Sequence, residues 1–256
     1  MLLRLLIFAA LCTFCPAPAQ ITGAPEFKSG PVFQKDRSAA TVDGTSHASA
    51  EKAQLNAEVL SRLTQLSGYA GGVRLIEGKL LPEAQKWFRD QKLPIGLAVT
   101  LFFSGQEEDG VRQLISIGRS NLSSVEIVPF LAETALVVPS LTAAALEVIE
   151  KISVKNPSSS EAYYYRARLT QDQESASIEL LKKSVALDPA ATAPLIELSR
   201  VYTRTGDRLA AIEALEKVLT LKPDTSIAHY RLASLYRATG QHEKASSHMA
   251  AFQKLQ

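Results

Sequence analysis

The sequence predicts an all-α solenoid of stacked antiparallel helix pairs, and three observations carry that reading. Leu198, Tyr202, Gly206 and Ala211 recur as Leu232, Tyr236, Gly240 and Ala245, each 34 residues later. A fixed period of this length, with Gly at a turn and small residues at set positions, marks one helix-turn-helix unit written twice. Pro82, Pro94 and Pro129 each stand where a helix would open, in the first turn, where a missing N–H is harmless. Between these marks, apolar residues fall at helical spacing.

Composition narrows the function classes. The chain has 256 residues, 46% of them apolar, with a formal charge of +2. No basic bias points to nucleic acid and no acidic block suggests a solvating tail. Cys12 and Cys15 are the two cysteines, both inside the apolar N-terminal segment, so the chain beyond has neither disulfide nor thiolate metal site. Their C-x-x-C spacing is followed by Pro16, where haem attachment needs His.

In chain order, residues 1–19 read as a secretory signal: Arg4, a short apolar core from Leu5 to Phe14, and the small-x-small pattern Ala17-Pro18-Ala19. The apolar run is short of the roughly 20 helical residues that span a bilayer. An uncleaved membrane anchor is the alternative. Lipidation fits less well, because Leu11 and Phe14 put bulky residues directly before the two cysteines. Residues 20–50 show no sustained apolar period and read as a flexible leader.

Residues 51–90 read as N-terminal helices or a degenerate repeat. Ser49 is a plausible cap for a helix carrying Leu55, Val59, Leu60 and Leu63. A second helix runs through Val73, Leu75 and Ile76 to Gly78, and Pro82 opens a third with Ala84, Trp87 and Phe88. Residues 91–124 form a clearer unit. Pro94 opens a helix through Leu97, Ala98, Leu101 and Phe102, Gly105 turns the chain, and a second helix carries Gly110, Leu114 and Ile117 to a stop at Gly118. Gly105 and Gly110 stand as far apart as Gly206 and Ala211, so Gly110 takes the slot where two helices press together.

Residues 125–157 are the most degenerate, with Pro129 opening one helix and Ser140 capping a second that ends at Asn156-Pro157. Residues 158–191 return to the pattern through Ala162-Tyr163-Tyr164-Tyr165-Arg166-Ala167 and end at Asp188-Pro189, with Ser177 in the small slot. The units 192–225 and 226–256 are the matched pair, with Pro223 closing the first. The last ends in polar Gln253, Lys254 and Gln256, as a solvent-facing cap should.

These residues resemble the tetratricopeptide repeat family from about residue 91 onward. The resemblance implies a right-handed superhelix whose concave wall is lined by the first helix of each pair. It also implies that the groove takes an extended peptide or a helix of another protein. The outward positions of the first helices here are Tyr164, Arg168, Ile196, Arg200, Thr203, Tyr230, Ser234 and Arg237, with Arg204 beside them. Tyr and Arg are the side chains enriched in binding hot spots. The bland reading makes the arginines solvated surface, offset by Glu197, Glu213 and Glu216. Ala167, Ser199, Ala211, Ala233 and Ala245 let helices approach, and Leu198, Leu215, Leu232 and Met249 fill the space between.

Catalysis finds no support. There is no G-x-S-x-G, Walker-type or H-E-x-x-H motif, and Gly71-Gly72 sits in helical context. His242 and His248 do not share a helix face and His229 is on another helix, so these read as surface histidines. No cofactor and no metal are expected. The expectation is an exported, non-catalytic scaffold or adaptor that binds another protein in a periplasmic or extracellular space and serves assembly of an envelope complex. Peripheral association with the envelope and the oligomeric state stay open. The alternative is a self-associating structural subunit of a secretion, pilus or polysaccharide machine, and both rest on fold-level analogy.

The register makes one direct prediction. Ala211→Asp places a carboxylate in the tightest helix contact and should cost about 4 kcal/mol, melting the C-terminal helices. Unchanged far-ultraviolet dichroism and thermal midpoint would refute the register.

Overall fold

The computed structural model describes residues 44–170 and 173–255, with side chains from residue 52. The signal and most of the leader expected over residues 1–43 lie outside these. Among the described residues there are thirteen α-helices and no strand: α1 Gly44–Gln65, α2 Ala70–Glu77, α3 Leu81–Asp90, α4 Pro94–Phe103, α5 Glu107–Ser120, α6 Val128–Val137, α7 Pro139–Lys155, α8 Ser160–Leu169, α9 Glu174–Leu187, α10 Thr192–Thr205, α11 Arg208–Leu221, α12 Ser226–Ala238 and α13 His242–Lys254. From α2 onward they form helix pairs that stack in chain order. No described helix is long and apolar enough to cross a membrane.

Several local expectations need correction. Helix α1 starts at Gly44, so Ser49 lies inside it and is not its cap. No Gly or Pro occurs between Thr45 and Ser67 to stop a helix there. Helix α5 runs past Gly118 to Ser120, and Gly118 is buried where a Cβ would lie 2.6 Å from Val148. Pro139 is itself the first residue of α7, with Val138 in the N-cap position, so Ser140 does not cap it. The turn after α2 is made by Lys79 at φ 61°, while Gly78 has ordinary φ. Met249 is only half-buried.

The C-terminal units follow from their residues. Gly206 and Gly240 sit at φ 87° and 76°, a left-handed conformation a Cβ resists. Asp207 caps α11 by accepting from the Ala210 N–H at 3.0 Å, a contact worth about 1 kcal/mol. Ala167, Ala211, Ala233 and Ala245 are buried between helices. Gly110 holds the equivalent slot in the α4–α5 pair, where an added Cβ would lie 2.7 Å from the Ala98 carbonyl oxygen. Ser177 fills the slot between α8 and α9, and its hydroxyl donates to the Ala167 carbonyl at 3.2 Å.

At the N-terminal end the packing solution differs. Phe88 is fully buried, and Cβ atoms on Gly72 and Gly96 would each lie 2.3 Å from its ring. Gly71 makes the same room for Trp87. These glycines admit aromatic rings to the backbone.

The core forms two apolar clusters, one from Val59 to Leu169 and one from Ala167 to Ala245, with Tyr164 packed against both. Helix α8 therefore joins the two halves. It is tied to α9 by reciprocal Ser160 and Ser184 hydroxyl bonds to each other's carbonyls, both 2.9 Å.

Candidate functional site

The first helices of successive pairs turn one face away from the core, the face expected to form the inner wall of the stack. On α12 the buried side is Ala228, Leu232, Ala233, Leu235 and Tyr236. Tyr230, Ser234 and Arg237 lie opposite, spaced four and three residues apart, and are exposed. On α10, Ile196, Arg200 and Thr203 repeat this arrangement opposite Leu195, Leu198 and Val201. On α8, Tyr164 and Arg168 continue it. The structure thus puts Ile196, Arg200, Tyr230 and Arg237 on the outward faces of α10 and α12, with Tyr164 and Arg168 at the matching register of α8 but half-buried there.

Their surroundings separate them. Tyr230 is 49% exposed, its ring 5.3 Å from that of Phe252. Arg237 borders an open cleft of about 280 Å³ with His242, Met249 and Gln253. Arg200 donates from Nε to Glu197 at 3.0 Å, and this hydrogen bond raises its pKa despite partial burial. Arg231 bridges the wall by donating to the Ile196 carbonyl at 3.1 Å. Arg204 pairs with Glu174 of α9 at 2.8 Å. The expected offset of Arg200 by Glu197 is therefore present, whereas Glu216 accepts instead from the Tyr236 hydroxyl at 2.5 Å. Burial and that carboxylate push the Tyr236 phenol up to about 12.

Arg168 belongs to a different environment. Its guanidinium pairs with Glu133 of α6 and lies 5.8 Å from the Tyr164 and Tyr165 ring centres. Glu133 is 1% exposed. Burial pushes its carboxyl up, and the Arg168 charge pulls it back. Burial disfavours the Arg168 cation, but Glu133 overcomes that and holds it charged. Every residue of α6 from Val128 to Ala135 is buried, unlike α10 and α12, so its inner face is covered.

Helix α1 contributes to that cover. Val59 and Leu63 are buried in the same cluster as the α4, α6 and α8 cores. Arg62 donates to Glu161 of α8 at 2.8 Å, stacks 5.4 Å from the Tyr165 ring centre, and bears on the charge of Glu133 together with Glu58. Lys52 reaches Glu107 at 2.5 Å. These ion pairs are partly exposed, and such contacts contribute about 1 kcal/mol or less each. Among the described residues, three buried side-chain atoms, Asn56 Oδ1, Arg62 Nε and Tyr165 Oη, have no hydrogen-bond partner within the protein. Arg62 Nε does face Glu58 at 3.5 Å, within ion-pair reach but outside hydrogen-bond geometry. Each such buried group costs about 1–3 kcal/mol.

The histidines pair where the sequence suggested separate surface residues. His229 Nε2 lies 2.9 Å from the Pro223 carbonyl. A carbonyl only accepts, so in the neutral pair that nitrogen carries the proton, and His229 Nδ1 accepts from His248 Nδ1 at 3.0 Å. Tyr236 stacks on His248 at 5.5 Å. Burial, His229 and Lys244 hold His248 below its ordinary value, with Glu216 opposing them. Among the described residues no group of three His, Cys, Asp or Glu is placed to hold a metal.

This geometry is that of tetratricopeptide-type stacked helix pairs. Residues 194–225 and 227–256 match the tetratricopeptide repeat family model, and the chain carries such repeats in its last two pairs. No curated protein matches the sequence. Solved structures share the fold. A crystal structure of MamA has a TM-score of 0.54 at 24% identity, over 62% of this chain and 94% of that one. MamA 41-end from Desulfovibrio magneticus RS-1 gives 0.53 at 20%, over 67% and 94%. TTC0263, a thermophilic TPR protein in Thermus thermophilus, gives 0.50 at 21%, over 64% and 90%. At these identities the likeness is one of fold.

Glu133→Ala leaves Arg168 half-buried without its carboxylate and should cost about 3 kcal/mol in urea unfolding, while Glu133→Leu with Arg168→Met should recover most of that. A single-variant loss below about 1 kcal/mol would show that the pair does not hold α6 to α8.

The His248 shift sets a pH dependence. The unfolded imidazole takes its proton near pH 6.5 and the folded one only at lower pH. Stability from the neutral ring is therefore complete above about pH 6.5 and falls as pH drops through the folded value. The thermal midpoint should decline from pH 7 to 5.5, and His248→Gln should flatten the decline. Equal slopes for the two proteins would refute it.

Proposed function

We propose that this protein is an exported, non-catalytic scaffold that holds another protein against the inner wall of its C-terminal pairs, in the assembly of an envelope complex. The observation that carries the reading is the exposed Tyr230, Ser234 and Arg237 face of α12, continued by Ile196 and Arg200 on α10. Tyr offers area at small entropic cost and Arg a forked donor set, so a peptide bearing aromatic groups or carboxylates suits this wall. Tetratricopeptide repeat proteins are typically non-catalytic scaffolds, which agrees. Export rests on the tripartite signal pattern of residues 1–19, and the periplasmic or extracellular location follows from it. Arg168 is assigned to the fold through Glu133, so it is set aside as a binding residue.

The test is crosslinking of the full chain in its native envelope with identification of the captured protein. Tyr230→Ala with Arg237→Glu should leave helicity intact and lower capture about 30-fold, the equivalent of a 2 kcal/mol hot spot. Capture unchanged by this pair of substitutions would sink the proposal.

A further inference from the structure

The inner wall is open along α10 and α12 and filled along α6 and α8. What fills it is a helix of this same chain. Lys52, Leu55, Asn56, Val59, Arg62 and Leu63 recur at intervals of three and four and line one face of α1, with Leu66 following just past its end. Val59 and Leu63 enter the cluster shared with α4, α6 and α8. The opposite face, from Ala53 and Gln54 through Ala57, Glu58 and Ser61 to Thr64 and Gln65, is exposed. Helix α1 thus lies in the groove as an amphipathic ligand helix would.

The polar groups of the interface are incompletely matched within the protein. The three buried, unpartnered side-chain atoms found among the described residues, Asn56 Oδ1, Arg62 Nε and Tyr165 Oη, all sit on α1 or on the helix beneath it. Its ion pairs, Lys52 with Glu107 and Arg62 with Glu161, lie at the rim. The chain leaves α1 through Gly68 at φ 84°, a left-handed turn between α1 and α2. The carboxylates that meet α1 at the rim are Glu161 of α8 and Glu107 of α5, so an occupant needs cations beside its apolar stripe.

We infer that α1 is a displaceable occupant of the groove, and that the wall of α6 and α8 accepts in its place a cationic amphipathic helix of a partner protein. That helix carries apolar residues at i, i+4 and i+8, as Leu55, Val59 and Leu63 do, with a basic residue beside the last. This rests on the reading of the wall as a protein-binding surface and adds the occupant's chemistry and a built-in competitor.

The experiment uses a fluorescently labelled synthetic peptide of residues 50–67 as the probe and the full chain as the receptor. Val59→Asp with Leu63→Asp in the chain undocks α1 and should raise peptide affinity at least 10-fold over the unsubstituted protein. Val59→Ala with Leu63→Ala should act in the same direction, and a probe bearing the two aspartates should not bind. Dichroism of both variants should lose no more helicity than α1 contributes. Affinity unchanged by undocking, or melting of the helices beyond α1 in the alanine variant, would overturn the inference and make α1 a structural strut. Dimers of the unsubstituted chain that the probe dissociates would assign the site to a second copy and overturn the foreign helix. Tyr230 and Arg237 stay untouched throughout, so failure here leaves capture by the C-terminal wall to be judged on its own.

Discussion

The close approach of two helices within each pair is the constraint on which everything else depends. It is met by a small residue at one slot: Gly110 against the Ala98 carbonyl, Ser177 against Ala167, and Ala211 and Ala245 in the last two pairs. A pair closed this tightly has no interior of its own for large side chains. Its apolar residues must face the next pair, so the pairs stack. Tyr164, packed on both apolar clusters, joins what would otherwise be two shorter arrays.

The C-terminal fold was legible because its determinants are local. Gly206, Gly240 and Ala211 act within their own turn or against the adjoining helix, and their spacing is visible in the chain. The outward register of Ile196, Arg200, Tyr230 and Arg237 was legible for the same reason, since a helix face follows from residue number alone. What escaped depends on contacts between distant elements. His229 and His248 lie on different helices and meet through the packing of α12 on α13. Arg168 looked equivalent to Arg200, but only the fold brings Glu133 beside it. A signal did exist, because Glu133 is the single charge in the run from Val128 to Val137. Helix α1 was foreseen as a helix, yet nothing in its sequence says which surface its stripe would meet.

The inner wall therefore has two electrostatic regimes. Along α6 and α8 a buried carboxylate and a guanidinium neutralise each other under α1, and either alone would destabilise the fold. Along α10 and α12 the charges are more exposed than Glu133, and Arg200 and Arg204 have acidic neighbours on or beside their own helix. Substitutions in the first region change the fold before they change recognition, whereas the second can vary with little structural penalty.

The seating of Phe88 between Gly72 and Gly96 has a consequence for how such a chain can diverge. A methyl group on either glycine meets the ring, and a smaller side chain at Phe88 opens a void between two backbones. No single step leads smoothly from this packing to the alanine-based contacts of the C-terminal pairs. The three positions should drift as a unit across descendants, and this would keep the N-terminal end outside the repeat consensus while the other end holds to it.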